Sequence, residues 1–152
     1  MFILHERLKA DTLEITRLEL SRVLLMNDSA FPWLILVPER EGIREIHELN
    51  EKDRVLLVEE MALASRVIRQ LYMPDKINIG ALGNLVPQLH VHVVGRYAAD
   101  RAWPGPVWGA GPASPYADSE RDSIRERFRK AFPDKKQSAL SQPLRQGEQG
   151  AQ

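Results

Sequence analysis

Residues 88–96, QLHVHVVGR, constrain the fold of this chain most, because polar and apolar side chains alternate along most of the stretch. Successive side chains on a β-strand point to opposite faces of the sheet. As a strand, this stretch places Gln88, His90 and His92 on one face and an apolar row on the other. The apolar row suits a hydrophobic core, whereas the polar row needs hydrogen-bond partners or a ligand. The alternation therefore predicts a half-buried strand that carries the candidate functional site.

Composition excludes several classes of function. The 152 residues are enough for one domain with a substantial core. Lys plus Arg and Asp plus Glu number 21 each, so the net charge gives no general affinity for nucleic-acid polymers or acidic membranes. The chain has no cysteine, which excludes disulfides, cysteine-based zinc sites and thiol catalysis. No apolar run reaches membrane-spanning length and the first residues lack a signal-peptide pattern, so we expect a cytoplasmic protein without a membrane partner.

Short apolar runs predict a series of strands around one long helix. Runs bounded by turn residues or prolines predict strands at residues 13–16, 20–26, 31–38 and 76–80. Asn50 is a typical helix N-cap, and apolar residues recur at helical spacing from Leu57 to Leu71 before Met73 and Pro74 end the pattern. We therefore predict one long helix between the third and fourth of these strands.

A change in composition marks the C-terminal third of the chain. Four of ten prolines and three of nine glycines lie between residues 104 and 115, together with Trp108. This pattern predicts an irregular arm that packs on the domain or on a partner chain. Ser119 and Asp122 approximate a capping box, which predicts a second helix from Ser119 to Phe132. We thus expect a main domain at residues 1–102, the arm and C-terminal helix at 103–133, and a polar, disordered tail at 134–152.

Two histidines on one strand face leave three interpretations open. The histidines are structural if backbone groups satisfy them. They are a zinc pair if a third ligand exists, but His5, His47 and the carboxylates have no suggestive spacing. They are catalytic if one imidazole attacks a substrate while its neighbour handles charge or a proton. An imidazole suits attack on phosphorus because it is largely neutral at pH 7 and needs no separate base.

The motif residues resemble a known family. Residues 88–94 are similar to the histidine triad signature, His-φ-His-φ-His-φ-φ, where φ is apolar and Gln88 replaces the first histidine. The glycine-led polar loop at 83–87 and the segment at 25–28, followed by an apolar strand, also resemble the family. So does the order strand, strand, helix, strand, motif strand. The resemblance covers about residues 10–100.

The resemblance implies a fold and an activity. The fold is α+β, an antiparallel sheet of about five strands with one main helix packed on it, followed here by the second C-terminal helix; it often pairs into a homodimer. Family members hydrolyse or transfer nucleotidyl groups, on substrates such as nucleoside phosphoramidates and dinucleoside polyphosphates. We therefore expect a nucleotide substrate, no metal or other cofactor, and a homodimer.

The resemblance also implies roles for individual residues. His90 matches the nucleophile, which attacks the α-phosphorus and forms a covalent nucleotidyl-histidine that water resolves. His92 matches the histidine that hydrogen-bonds a phosphate oxygen. Asn27 matches the ribose-contacting position, with Asp28 as the alternative. The polar positions that face the phosphate and the leaving group match Asn78 and Asn84.

Gln88 departs from the family signature. An amide can orient a neighbour or donate to an oxygen, but it cannot carry a proton near pH 7. If the first triad position protonates the leaving group, activity should fall or favour good leaving groups; if it only orients, little changes. Because His90 and His92 are retained, we favour an enzyme. The alternative is a nucleotide-binding protein with weak or no turnover.

Overall fold

Five strands form a single antiparallel sheet in the computed structural model, which describes residues 1–134. The strands are β1 (Thr12–Arg17), β2 (Ser21–Met26), β3 (Trp33–Pro38), β4 (Lys76–Gly80) and β5 (Val91–Arg96). Their order in the sheet is β1-β2-β3-β5-β4, and every neighbouring pair is antiparallel. The predicted α+β fold with a five-stranded antiparallel sheet is confirmed. From residue 135 onward, the predicted tail at 134–152 lies outside the described residues.

Three α-helices accompany the sheet in the described part of the chain. They are α1 (Glu6–Asp11), α2 (Glu51–Tyr72) and α3 (Arg121–Ala131). The Asn50 side chain accepts a hydrogen bond from the Asp53 backbone N–H at 2.9 Å, which confirms Asn50 as the N-cap of α2. The helix ends at Tyr72, and the next residue, Met73, adopts the left-handed conformation, with φ 49°. The sequence patterns did not predict α1.

Side chains from the two faces of the sheet enter different clusters. On one face, Leu34, Leu36 and Val93 pack with apolar residues of α2 and with Phe128 of α3. On the other face, Trp33, Ile35 and Val94 pack with Leu8 of α1 and Val107 of the arm. Because both faces are covered, all six residues of β3 are buried, as the continuous apolar run predicts.

The motif strand starts later than predicted. β5 begins at Val91, so Gln88 and His90 precede it instead of lying within it. The Leu89 backbone N–H donates to the carbonyl of Ile43, 3.0 Å away and outside the sheet. The chain therefore joins the β ladder only after Leu89. A rule of strict alternation cannot detect such a departure, because the partner lies outside the sheet.

The predicted start of the C-terminal helix is also wrong. Helix α3 begins at Arg121, and Ser119 lies in a preceding 3₁₀ turn from Asp118 to Glu120. Glu120 occupies the N-cap position without a side-chain capping bond, so the predicted capping box of Ser119 and Asp122 is absent. The 3₁₀ turn explains the difference, because its tighter winding moves Ser119 out of the cap position.

The arm packs on the main domain. Val107 is buried in the cluster with Trp33 and Val94, and the carbonyl of Ser114 accepts a 2.7 Å hydrogen bond from the Ser29 backbone N–H. The arm therefore lies over the same sheet face as the histidines. Within residues 1–134, no helix is both long and apolar enough to cross a lipid bilayer.

Candidate active site

The two motif histidines lie together at the start of β5. Their ring centroids are 5.0 Å apart, and the ring planes are inclined at 68°. The strand register sets His92 opposite Ile35 of β3 and Gly80 of β4. His90 is 7% exposed and His92 is 8% exposed. The fold thus brings two imidazoles into contact in a largely desolvated position.

A backbone carbonyl defines the tautomer of His90. The carbonyl oxygen of Gln88 lies 2.7 Å from Nδ1 of His90. Because a carbonyl oxygen can only accept, Nδ1 carries the proton and donates it. In the neutral ring, Nε2 therefore holds the lone pair. His90 is arranged as a nucleophile or a base at Nε2.

An indole defines the opposite tautomer in His92. Nε1 of Trp33 donates to Nδ1 of His92 at 2.9 Å. An indole N–H can only donate, so Nδ1 holds the lone pair and Nε2 carries the proton. Burial, and to a smaller extent the nearby His90, lower the pKa of His92 from 6.5 to about 4. His92 is therefore a neutral hydrogen-bond donor at Nε2 around neutral pH.

Trp108 of the arm packs against both His92 and Trp33. Its ring centroid lies 5.4 Å from that of His92 in an edge-on arrangement and 6.4 Å from that of Trp33. A Cβ atom on Gly80 would come within 2.9 Å of Cη2 of Trp108, so the indole rests directly on the glycine backbone. Nε1 of Trp108 is buried and has no hydrogen-bond partner among residues 1–134. The composition of the arm indicates a packed segment, but it does not indicate this contact.

The side chain of Gln88 points to the N-terminal segment. Oε1 accepts from the backbone N–H of His5 at 2.9 Å, and Nε2 donates to the carbonyl of Ile3 at 2.9 Å. Only the backbone of Gln88 bonds the His90 ring. The expected polar row of three side chains is therefore reduced to the two histidines.

Asn27 and Asp28 lie at the other end of the sheet and bind the arm. Oδ1 of Asn27 accepts from the Tyr116 backbone N–H at 2.9 Å. The loop that contains them contacts the end of β5, since the Gly95 N–H donates to the Pro32 carbonyl. His90 lies five residues before Gly95, which is about 16 Å along an extended chain. The structure therefore does not bring Asn27 or Asp28 into contact with the histidines.

The oxygens of Asp28 already have hydrogen-bond partners. Oδ1 accepts from the backbone N–H groups of Ala30 and Ser114, each at 3.1 Å. Oδ2 accepts from the Arg101 guanidinium at 2.9 Å. Asp28 is 2% exposed. This carboxylate attaches the arm to the loop after β2.

The two remaining candidates differ in their surroundings. Asn78 pairs with Val94 in the β4–β5 register, on the face that carries His92, and its Oδ1 accepts from Arg96 at 2.8 Å. Asn84 is exposed on the loop between β4 and β5. Within residues 1–134, no three His, Asp or Glu side chains group closely enough to hold a metal ion.

Two neighbouring imidazoles with opposite tautomers thus lie at the start of β5. His90 has a lone pair at Nε2, and His92 has an N–H donor at Nε2. That combination suits nucleophilic attack on a centre whose oxygens need a hydrogen bond. The family model for the HIT domain matches residues 7–99, and the chain belongs to this family. No curated protein matches the chain significantly.

Solved structures of histidine triad proteins are similar to this chain. One from Marinobacter aquaeolei is 47% identical with a TM-score of 0.83, over 86% of this chain and 96% of that chain. One from Sinorhizobium meliloti is 45% identical with a TM-score of 0.83, over 86% and 97% of the two chains. One from Bradyrhizobium japonicum is 43% identical with a TM-score of 0.82, again over 86% and 97%. The similarity therefore extends beyond the family domain into the arm and α3.

Proposed function

We propose that this protein is a nucleotidyl hydrolase or transferase that acts at the α-phosphate of nucleoside phosphoramidates or dinucleoside polyphosphates. The opposed tautomers of His90 and His92 carry this proposal. A lone pair at Nε2 of His90 and a donor at Nε2 of His92 are the two groups that attack on a phosphate needs. Membership of the HIT domain family supports a nucleotide as the substrate.

The proposed reaction has two steps. Nε2 of His90 attacks the α-phosphorus, the bond to the leaving group breaks, and the leaving group departs with that electron pair. His92 donates its Nε2–H to a non-bridging oxygen and stabilises the charge that develops there. Water, or another hydroxyl acceptor, then attacks the phosphorus and releases its proton to solvent, while the bond to His90 breaks and its electron pair returns to Nε2. The Nδ1–H bond to the Gln88 carbonyl stabilises the positive charge that the attacking imidazole acquires.

The other candidate residues receive more limited roles. Asn78 faces the phosphate side of the sheet, and Asn84 contacts the leaving group from its exposed loop. Asn27 contacts the ribose through its side-chain NH2 group, since its Oδ1 binds the arm. Asp28 is the weaker candidate, because three donors already occupy its oxygens. Gln88 occupies the first triad position and acts through its carbonyl.

A second candidate function is nucleotide binding with weak or no turnover. The side chain of Gln88 favours it, because this amide is bonded to Ile3 and His5 and has no proton to give to a leaving group. Substrates that need a protonated leaving group would then bind and react slowly.

Covalent trapping separates the two functions. The protein is mixed with adenosine phosphoramidate or a dinucleoside polyphosphate, quenched, and analysed by mass spectrometry of its peptides. An adduct of one nucleoside monophosphate on the His90 peptide, absent from His90→Ala, supports the enzyme. Tight binding without an adduct or a product supports the binding protein. The same assay with a chelator tests our proposal that no metal is needed.

We also propose that the protein is a cytoplasmic homodimer. Strand β4 lies at the edge of the sheet and carries Ile79, which is 45% exposed, so the edge offers both backbone groups and an apolar side chain to a second copy. Sedimentation equilibrium of the wild type and of Ile79→Lys tests the dimer. A monomeric wild type contradicts it.

A further inference from the structure

Trp33 is the first residue of β3 and is held firmly in place. Its side chain is buried, at 6% exposure, and its ring packs edge-on against Phe31 with centroids 6.2 Å apart. The register pairs its backbone with Val94, two residues beyond His92 on β5. The indole N–H thereby reaches Nδ1 of His92, although the two residues are 59 positions apart in the sequence.

We propose that Trp33 is a positioning residue that holds His92 in the tautomer whose Nε2–H donates to the substrate phosphate. The proposal rests on the proposed function and adds a residue outside the histidine motif to it. Without the indole donor, a proton on Nε2 leaves Nδ1 as a buried acceptor with no partner, which is unfavourable. The ring therefore loses its preference for the Nε2–H tautomer, and in the other tautomer the Nε2 lone pair would face an anionic oxygen.

The same bond controls the charge of His92. An imidazolium carries protons on both nitrogens, so its Nδ1–H would oppose the indole N–H. Trp33 therefore favours the neutral ring, in addition to the effect of burial. The titratable neighbour of His92 is His90, 5.0 Å away between ring centroids. Trp33 and Trp108, whose rings lie edge-on to the His92 ring, are uncharged, and so are its register partners Ile35 and Gly80.

Trp33→Phe removes the donor and keeps an aromatic ring. We expect kcat/KM at pH 8 to fall about 10- to 100-fold, which is less than the roughly 10²–10³-fold typical when the donor itself is removed, because His92 stays in place. As the pH falls, His92 in the variant becomes an imidazolium more readily than in the wild type and regains an Nε2–H. The ratio of variant to wild-type kcat/KM should therefore rise toward acidic pH, while ionisations common to both proteins cancel.

Trp108→Phe is the matched control. It also removes an indole N–H from a ring packed edge-on against His92, but it does not remove a hydrogen bond to Nδ1. Its ratio to the wild type should not vary with pH. A Trp33→Phe ratio that is flat with pH, or that matches the Trp108→Phe profile, overturns the proposal.

Nitrogen NMR of the wild type tests the tautomer without any turnover assay. Long-range proton–nitrogen correlations should show a protonated Nε2 in His92 and a protonated Nδ1 in His90. A protonated Nδ1 in wild-type His92 overturns the proposal, whether or not Trp33→Phe folds. If no substrate turns over, the proposed function fails by itself. A titration with adenosine monophosphate then tests whether Nε2–H of His92 donates to the phosphate. If it does, Trp33→Phe should raise the Kd about tenfold.

Discussion

The side-chain oxygen of Gln88 accepts a hydrogen bond from the backbone N–H of His5 at 2.9 Å, across 83 residues of sequence. The same amide donates to the carbonyl of Ile3 at 2.9 Å. One amide thus binds both a donor and an acceptor of the N-terminal segment, while the carbonyl of the same residue orients His90. Gln88 links the start of the chain to His90.

The first prediction concerns this link. Gln88→Glu keeps an acceptor for the His5 N–H but sets a carboxylate oxygen against the Ile3 carbonyl. Because this region is partly exposed, we expect a loss of about 1 kcal/mol or less in the free energy of unfolding. Gln88→Met has similar length and makes neither bond, so hydrogen exchange at the His5 amide should be faster in Gln88→Met than in the wild type and in Gln88→Glu. Equal exchange at this amide in Gln88→Met and the wild type would contradict the assignment.

The second prediction concerns the part that residue 88 plays in the proposed reaction. Since the Gln88 side chain points to Ile3 and His5, we expect an imidazole placed there to point away from the proposed site of the phosphate. We therefore expect the ratio of kcat/KM for Gln88→His and the wild type to be flat across leaving groups of graded pKa. A ratio that rises for poor leaving groups would show that the new imidazole protonates them, a contribution typically of order 10²–10⁴-fold.

Patterns along the chain predicted most of the fold. The apolar run before Pro38 and the short pattern at 76–80 both became strands, and the latter has the predicted bounds. Asn50 was identified as the N-cap because its capping partner, Asp53, lies three residues away. These features depend on residues that are close in sequence, where hydrophobic periodicity and capping chemistry determine the structure.

The environment of the site depends on residues that are distant in sequence. The sequence identifies the two histidines, but the choice of tautomer in His92 depends on Trp33, which reads as an ordinary core residue of an apolar strand. Trp108 belongs to an arm without periodicity, so no rule predicts that it rests on Gly80. The sequence likewise does not reveal that Asn27 and Asp28 accept hydrogen bonds from the arm, because Tyr116 and Ser114 lie more than 80 positions away.

The third prediction tests the contact between the arm and the site. In Gly80→Ala, the new Cβ would lie 2.9 Å from Cη2 of Trp108, so the indole must move. We expect a loss of about 1–3 kcal/mol in the free energy of unfolding, the usual range for overpacking. Denaturant titration measures it. In a Trp108→Ala background the same substitution should be nearly neutral, and a double-mutant cycle without coupling would contradict the contact.

The fourth prediction concerns the buried ion pair at the end of β5. Arg96 and Asp100 side chains are 1% and 5% exposed, and Arg96 donates to both carboxylate oxygens at 2.8 and 3.0 Å. These bonds lower the pKa of Asp100 from 3.8 to about 2. A carboxyl group whose pKa is lower in the folded state contributes stability at pH values above its pKa in the unfolded state. This contribution is lost as the pH falls from about 4 to 2.

Asp100→Asn should therefore remove about 3 kcal/mol or more at pH 7, because it leaves a buried guanidinium without its countercharge. The difference from the wild type should shrink toward pH 2, as Asp100 itself becomes protonated. Urea titrations at several pH values measure both effects. Asp122→Asn breaks an ion pair in which the carboxylate is 97% exposed, and it should change stability by less than about 0.5 kcal/mol. A similar loss in both variants would contradict the argument.

The last prediction concerns an acid in the core. Glu60 of α2 is 6% exposed, and its Oε1 accepts from the Leu20 N–H at 2.8 Å. Its Oε2 is buried and has no hydrogen-bond partner in the described part of the chain. Burial raises the pKa of Glu60, and hydrogen bonds from Ser21 and Leu20 offset part of the rise.

A raised carboxyl pKa means that the folded state keeps the proton after the unfolded state has lost it. Stability therefore falls as the pH rises through and above the ordinary carboxyl range. Glu60→Gln keeps the acceptor at Oε1 and has no charge to bury, so it should be more stable than the wild type at pH 8, by about 1 kcal/mol. The gain should vanish near pH 4, where the wild-type acid is neutral. Glu59→Gln, an exposed neighbour on the same helix, should show no such pH dependence. If Glu60→Gln is less stable at pH 8, the carboxylate is favourably solvated or paired, and the buried-acid interpretation is wrong.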